Sequence, residues 1–302
     1  MKLYQLISRV FDTLLSREAK KSVEKVILII SIISFLVHLA LIYLVKYDIV
    51  HFHSDVSLFK SPIAAIYTPF SFILIYEVYL LVYYIPKSVT TYVSKQYEII
   101  TLIVIRRIFK DLSNLELSQD WLSIKNDRQF TYDILLAVIL FYLIYLFKVN
   151  FFPKGMVNSI QSKNRFNSFI EFKKAIAIFL VPVLVVMASY SLFHWSNSVL
   201  NQLPSALSEF KKINNVFFED FFTLLIVVDV LLLLISFFYS DSFQKVMRNS
   251  GFIISTILIR LSFSTDGVVN NVLILSSIIF GLLILVIHNQ FEKKESLVLD
   301  AE

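Results

Sequence analysis

The chain has no cysteine and only four glycines among its 302 residues. Without cysteine there is no disulfide, no iron–sulfur cluster and no thiolate zinc site. With so little glycine, a potassium-type filter, a phosphate-cradling loop and repeated GxxxG helix contacts lack the residues they require. No nucleotide fingerprint, metalloprotease motif or nucleophile–base pairing occurs either. The chain is therefore expected not to be an enzyme and to carry no cofactor. Charge is sparse as well, at 17% of residues.

What fills the sequence is apolar. Hydrophobic residues make up 57% of it, with 29 phenylalanines and 15 tyrosines, and the mean hydropathy is +0.72. Apolar runs of roughly twenty residues recur, each long enough to cross a hydrocarbon core of about 30 Å. A soluble core buries one such helix, not six or more. The fold class expected is an all-α polytopic membrane protein. The net charge of +5 fits basic loops beside anionic lipid and not a nucleic-acid partner.

The first 25 residues lack the pattern of a secretory signal peptide. Leu3, Leu6, Ile7, Val10, Phe11 and Leu14 follow helical spacing, and Arg9, Arg17, Lys20, Lys21 and Lys25 supply a basic face. Residues 1–25 read as an amphipathic helix on the cytoplasmic surface; a mitochondrial-type presequence has a similar pattern. Apolar spans follow at about Val26–Val45, Ala64–Ile85, Tyr132–Phe147, Lys174–Phe193, Val216–Tyr239 and Asn271–His288. Two further stretches are ambiguous: 88–108 is long enough but carries Lys95 and Glu98, and 252–264 is short and polar-bearing.

Loop charge decides these two. The N-terminal segment is basic, and so is the loop around the linker 149–173, with Lys148, Lys154, Lys163, Arg165, Lys173 and Lys174 against Glu171. Both belong on the cytoplasmic side, so an even number of crossings separates them. Counting 88–108 as a crossing satisfies this, and the same logic applies to 252–264. The expectation is eight transmembrane helices (six at the least) in a plasma or inner membrane, both termini cytoplasmic. A membrane half at 26–148 and another at 174–288 flank the linker, and a polar tail covers 289–302.

The halves resemble one another. EIITLIVIRRIF from Glu98 and FIISTILIRLSF from Phe252 share six of twelve residues, including Arg106 with Arg260. EVYLLV at Glu77 matches DVLLLL at Asp229 after a two-residue shift. This reads as two four-helix repeats in parallel orientation, an arrangement that in transporters places sites at the repeat interface.

Glu77 and Asp229 sit within apolar spans, where a charge costs about 2.5–3.5 kcal/mol on insertion scales. Helix depths point to Lys95 as the partner of Glu77, with Glu98 one turn beyond it; Arg106 and Arg260 are further basic partners, and Arg248 lies too near the surface to reach Asp229 well. Tyr76 and Tyr79 lie too deep for an aromatic belt and are candidate donors to Glu77. An acid beside a basic neighbour resembles a voltage-sensor module, but no arginine recurs every third residue, so gating charges are not supported. His51, His53 and Asp55 in the first outer loop form a sparse candidate metal set. His38 reads as a hydrogen-bonded packing residue, and Pro69 and Pro182 as kinks within spans.

The functional expectation is a channel or secondary transporter for a proton or small cation, built around the intramembrane acids. The alternative is a scaffold or accessory subunit whose charges hold helices together. The expected partner is the lipid bilayer, and self-association into a homo-oligomer is compatible with the sequence.

Overall fold

In the computed structural model, residues 9–47, 62–112, 115, 125–151, 163–201, 206–239, 243–265 and 267–299 are described. They form eight long α-helices and no strand: α1 Arg17–Lys46, α2 Tyr67–Tyr84, α3 Val89–Leu112, α4 Lys125–Phe151, α5 Lys163–Asn201, α6 Ala206–Tyr239, α7 Phe243–Ser262 and α8 Gly267–Leu299.

Local chemistry sets several of the boundaries. Ser16 caps α1 by accepting the Ala19 amide at 3.0 Å, which satisfies one of the free donors of the first turn. A Pro86-Lys87 turn joins α2 to α3, and the Ser88 hydroxyl accepts the Thr91 amide at 3.2 Å. Gly267 opens α8 at φ +66, a conformation that L side chains rarely adopt. Pro69 is the third residue of α2. There its missing N–H is one of the first-turn donors that have no acceptor within α2 itself. Pro182 lies well inside α5.

Successive helices run up and down. Lys20 near the start of α1 bonds Tyr84 at the end of α2. Lys148 near the end of α4 pairs with Glu98 near the start of α3. Lys173 early in α5 bonds the Lys87 carbonyl, and Arg248 early in α7 meets His288 late in α8. One end of the bundle therefore gathers lysines, and we refer to it as the basic end. At the opposite end buried His38 of α1 bonds Thr68 of α2. α4 and α8 lie parallel and in register: Asn271 donates to Asp133 at 2.7 Å near their starts, and Asn289 donates to the Asn150 carbonyl at 2.7 Å near their ends.

Two apolar cores hold the bundle. One joins α2, α3, α5 and α6 through residues such as Val82, Ile99, Leu180, Phe221 and Leu225. The other joins α3, α4, α7 and α8 through Tyr97, Leu140, Phe147, Phe252 and Ile278. Phe11 and Leu15, ahead of α1, are buried in the first core. α1 then runs unbroken past residue 25, so residues 17–25 continue into the first apolar helix.

Four of these helices are long and apolar enough to cross a membrane, over Arg9–Lys46, Asp127–Phe151, Asp220–Phe238 and Gly267–Lys294; α2 contributes a shorter apolar segment, Thr68–Tyr84. α1 exposes Ile29, Ile32, Ile33 and Leu36, and α4 exposes Val138, Phe141 and Tyr142. Apolar faces of this extent fit membrane association and not contact with water. α3 and α7, the polar-bearing stretches, lie inside. α3 contributes to both cores, and α7 buries Asn249, Ser255, Thr256, Arg260 and Ser262. Thr101 of α3 and Ser255, Thr256 and Arg260 of α7 are shielded by the helices around them.

Scarcity of glycine does not prevent close packing between α7 and α8. Ser255 and Ser277 exchange hydroxyl-to-carbonyl bonds, both at 2.8 Å. A Cβ at Gly251 would stand 2.7 Å from Ile284, and one at Gly281 would stand 1.7 Å from the Tyr97 hydroxyl. Gly251 with Ser255, and Ser277 with Gly281, each make a small-xxx-small pair. Serine takes the place of one glycine in each, so close contact forms although GxxxG itself is absent.

Candidate functional site: two buried acid–arginine pairs

Glu77 lies on the face of α2 that packs against α3 and is 3% exposed. Its Oε2 accepts from Arg106 Nη1 at 3.2 Å, and the same nitrogen lies 3.4 Å from the Phe70 carbonyl. Lys95, the expected partner, is not there. Its ammonium donates to Glu98 at 2.7 Å on its own helix, and Lys148 of α4 holds the other Glu98 oxygen at 2.9 Å.

The reason is side-chain direction. Helical side chains lean toward the N-terminus of their own helix. α2 and α3 are antiparallel, so Glu77 leans away from the basic end while Lys95 leans toward it. Arg106, about three turns farther along α3, leans back down on Glu77. Depth measured at the Cα atoms missed this divergence.

Tyr76 and Tyr79 do not serve Glu77 either. The Tyr76 hydroxyl donates to Glu24 of α1 at 2.9 Å, and the Tyr79 hydroxyl to the Leu14 carbonyl at 3.1 Å. With Tyr83 they form a ladder of rings at 6.4 and 6.3 Å along the opposite side of α2. The i, i+3, i+7 spacing was correct for one face, but that face looks onto α1.

Asp229 of α6 is fully buried and more completely held. Tyr92 of α3 donates to its Oδ1 at 2.9 Å, and Thr256 of α7 to its Oδ2 at 2.9 Å. Arg260 of α7 pairs with Oδ2 at 2.9 Å and donates through Nη2 to the Tyr92 hydroxyl at 3.1 Å. Arg248 is engaged elsewhere, with Asn249 and His288.

The two pairs are unequal. Asp229 and Arg260 are 0% and 2% exposed, whereas Arg106 retains 15% exposure and offers Glu77 one long contact. At the basic end a small cavity of about 20 Å³ is lined by Val89, Tyr92, Phe169, Lys173, Ser236 and Asn249. It has room for about one water, and Tyr92 connects it to Asp229. Lys173 lies just before the apolar part of α5, and burial lowers its ammonium to about 8, partly opposed by the charge of Asp229.

A third polar centre escaped the sequence reading. At the end of the bundle opposite the basic one, Arg107 grips buried Asp133 with two nitrogens and donates to Asn270 and Asn271, both at 2.6 Å. Gln129 also donates to Asp133 at 2.8 Å, and Asn270 to the Ser262 carbonyl at 2.5 Å. Adjacent asparagines at the start of an apolar span, facing an acid at the start of another, were the available signal. His51, His53 and Asp55 lie outside the described residues; among the described ones no group of three or more metal-ligating side chains forms. Comparison with known protein families, curated proteins and solved structures finds no match.

Proposed function

We propose that the protein is a proton-handling channel or secondary transporter of the plasma or inner membrane, made of two parallel four-helix repeats with both termini cytoplasmic. Glu77 is the working acid, and Asp229 is its anchored counterpart. The observation that carries this reading is the acid–arginine pair that recurs at matching places but is closed in one half and loose in the other.

Several features support it. Glu77 on α2 pairs with Arg106 on α3, as Asp229 on α6 pairs with Arg260 on α7. The separations along the chain differ by the two residues that the sequence comparison needed. α4 and α8, the last helices of the halves, run in register, as a two-fold axis along the membrane normal requires. A proton suits the site better than a metal cation. A cation needs several oxygen ligands, whereas Glu77 has an arginine beside it. Both Asp229 oxygens already have donors, which leaves that acid little to exchange.

Proton flux into proteoliposomes, followed with a pH dye under an imposed potential, tests the reading. Wild type should conduct, and Glu77→Gln should lose flux by roughly a hundredfold, the low end of what a positioned proton-transfer group contributes. The scaffold reading has its own observation in the saturated Asp229 network. Wild-type vesicles no leakier than empty ones to protons, sodium or potassium would decide for it.

A further inference from the structure

Three lysines from different stretches of chain converge on two touching tyrosine rings at the basic end. Tyr83 and Tyr84 close α2 and meet edge to face at 5.0 Å. Lys20 of α1 donates to the Tyr84 hydroxyl at 3.2 Å, with its ammonium 5.5 Å from the Tyr83 ring and 5.4 Å from the Tyr84 ring. Lys87, in the turn, stands 5.6 Å from the Tyr83 ring, and Lys95 of α3 stands 5.6 Å from the Tyr84 ring. Lys173 adds a fourth ammonium at the same turn through the Lys87 carbonyl.

Ammonium groups set around one pair of rings attract an anion wherever carboxylates do not already offset them. The carboxylates nearby are committed. Glu98 is divided between Lys95 and Lys148, Glu24 accepts from Tyr76, and Glu171 pairs with Lys174. Among the described residues no carboxylate pairs with Lys20 or Lys87. Cation–π contact with two tyrosines orients the ammonium groups but does not neutralise them. The cluster also sits where an apolar run ends in tyrosines, the depth at which rings meet lipid headgroups.

We propose that Lys20 and Lys87, framed by Tyr83 and Tyr84 with Lys95 beside them, bind a phosphate group, that of one anionic phospholipid held against the turn between α2 and α3. The ammonium groups flank the phosphate, the half-buried Tyr84 ring lies beside the glycerol portion, and the acyl chains follow the exposed apolar face of α1. This assignment is independent of the proton-handling reading. Loss of flux with lipid binding intact, or the reverse, tells the two apart.

The test uses the full-length chain in detergent, with phosphatidylglycerol retention read by native mass spectrometry and thermal stability read with added lipid or anion. Phosphatidylglycerol should stay bound and raise the melting temperature, and phosphatidylcholine should not. Lys20→Gln/Lys87→Gln should weaken phosphatidylglycerol binding roughly 30-fold, from the contribution of two basic residues near an anionic headgroup. Lys20→Arg/Lys87→Arg should retain it. Lys21→Gln/Lys25→Gln removes equal charge from exposed α1 positions and should leave binding unchanged. Should inorganic phosphate or glycerol phosphate alone give the same protection, lost in Lys20→Gln/Lys87→Gln, the site stands and its ligand is a soluble anion. Equal retention of the two lipids by wild type, or equal loss in the Lys21/Lys25 variant, overturns the proposal.

Discussion

Arg106 reaches Glu77 from farther along α3, and Lys95, at nearly the same depth as Glu77, does not. In an antiparallel helix pair the side chains lean in opposite directions along the axis. An acid is then met by a base displaced toward the C-terminal end of the next helix. Asp229 and Arg260 obey the same rule on α6 and α7.

A double-mutant cycle checks this geometry. Glu77→Gln and Arg106→Gln should show a coupling of about 1–3 kcal/mol, as expected of residues in direct contact. Glu77→Gln and Lys95→Gln should add within about 0.5 kcal/mol, as expected of independent sites. Detergent-solubilised stability is a sufficient readout. Coupling of Glu77 to Lys95 as large as that to Arg106 would contradict the pairing.

The second pair should behave as structure. Removing the charge of Asp229 leaves Arg260, 2% exposed, without its counter-charge. Asp229→Asn should cost about 3–5 kcal/mol, the usual penalty for breaking a buried pair. Asp229→Asn/Arg260→Met should recover much of that loss, because no buried charge remains. If Asp229→Asn folds with wild-type stability and abolishes proton flux instead, the division of labour between the acids is reversed.

Much of this architecture was legible in the residues because it follows from hydropathy. The apolar runs located the helices, and the inward position of α3 and α7 matches the polar residues that made those stretches ambiguous. Arg106 aligned with Arg260 before either had a partner. What escaped depends on angle and not on spacing. Lys95 lies at the right depth and leans the wrong way, and Tyr76 has the right period but turns its hydroxyl to Glu24. The Arg107–Asp133 clamp joins three helices, and no single-helix pattern displays it. The close α7–α8 contact was hidden because serine stands where a motif search looks for glycine.

Lys173 predicts a pH dependence whose sign follows from burial. Its ammonium falls from the ordinary 10.5 to about 8 in the folded protein. Between these values the unfolded chain binds more protons, so stability rises with pH. The gain is absent below pH 8 and complete above 10.5. Phe169, the Lys87 carbonyl and Asp229 surround this group. Lys173→Met removes it and should flatten the difference. The melting temperature of wild type minus that of the variant, followed from pH 7 to 10.5, should rise. A falling difference would show a lysine stabilised in its charged form.

Gly281 gives the sharpest packing prediction. A Cβ there would lie 1.7 Å from the Tyr97 hydroxyl, 3.0 Å from its ring carbon and 3.1 Å from Ser255 Oγ. Tyr97 has no room to retreat. It is fully buried, bonds Ser255 at 2.6 Å and meets Phe147 edge to face at 5.1 Å. Gly281→Ala should therefore destabilise by about 1–3 kcal/mol or more, the cost of overpacking a tight core, despite alanine's better helix propensity. Tyr97→Phe removes the clashing hydroxyl, and Ser255 keeps its bond to the Ser277 carbonyl. The Gly281→Ala/Tyr97→Phe double variant should then melt above Gly281→Ala alone. A Gly281→Ala protein as stable as wild type would mean that α8 does not approach α3 and α7 this closely.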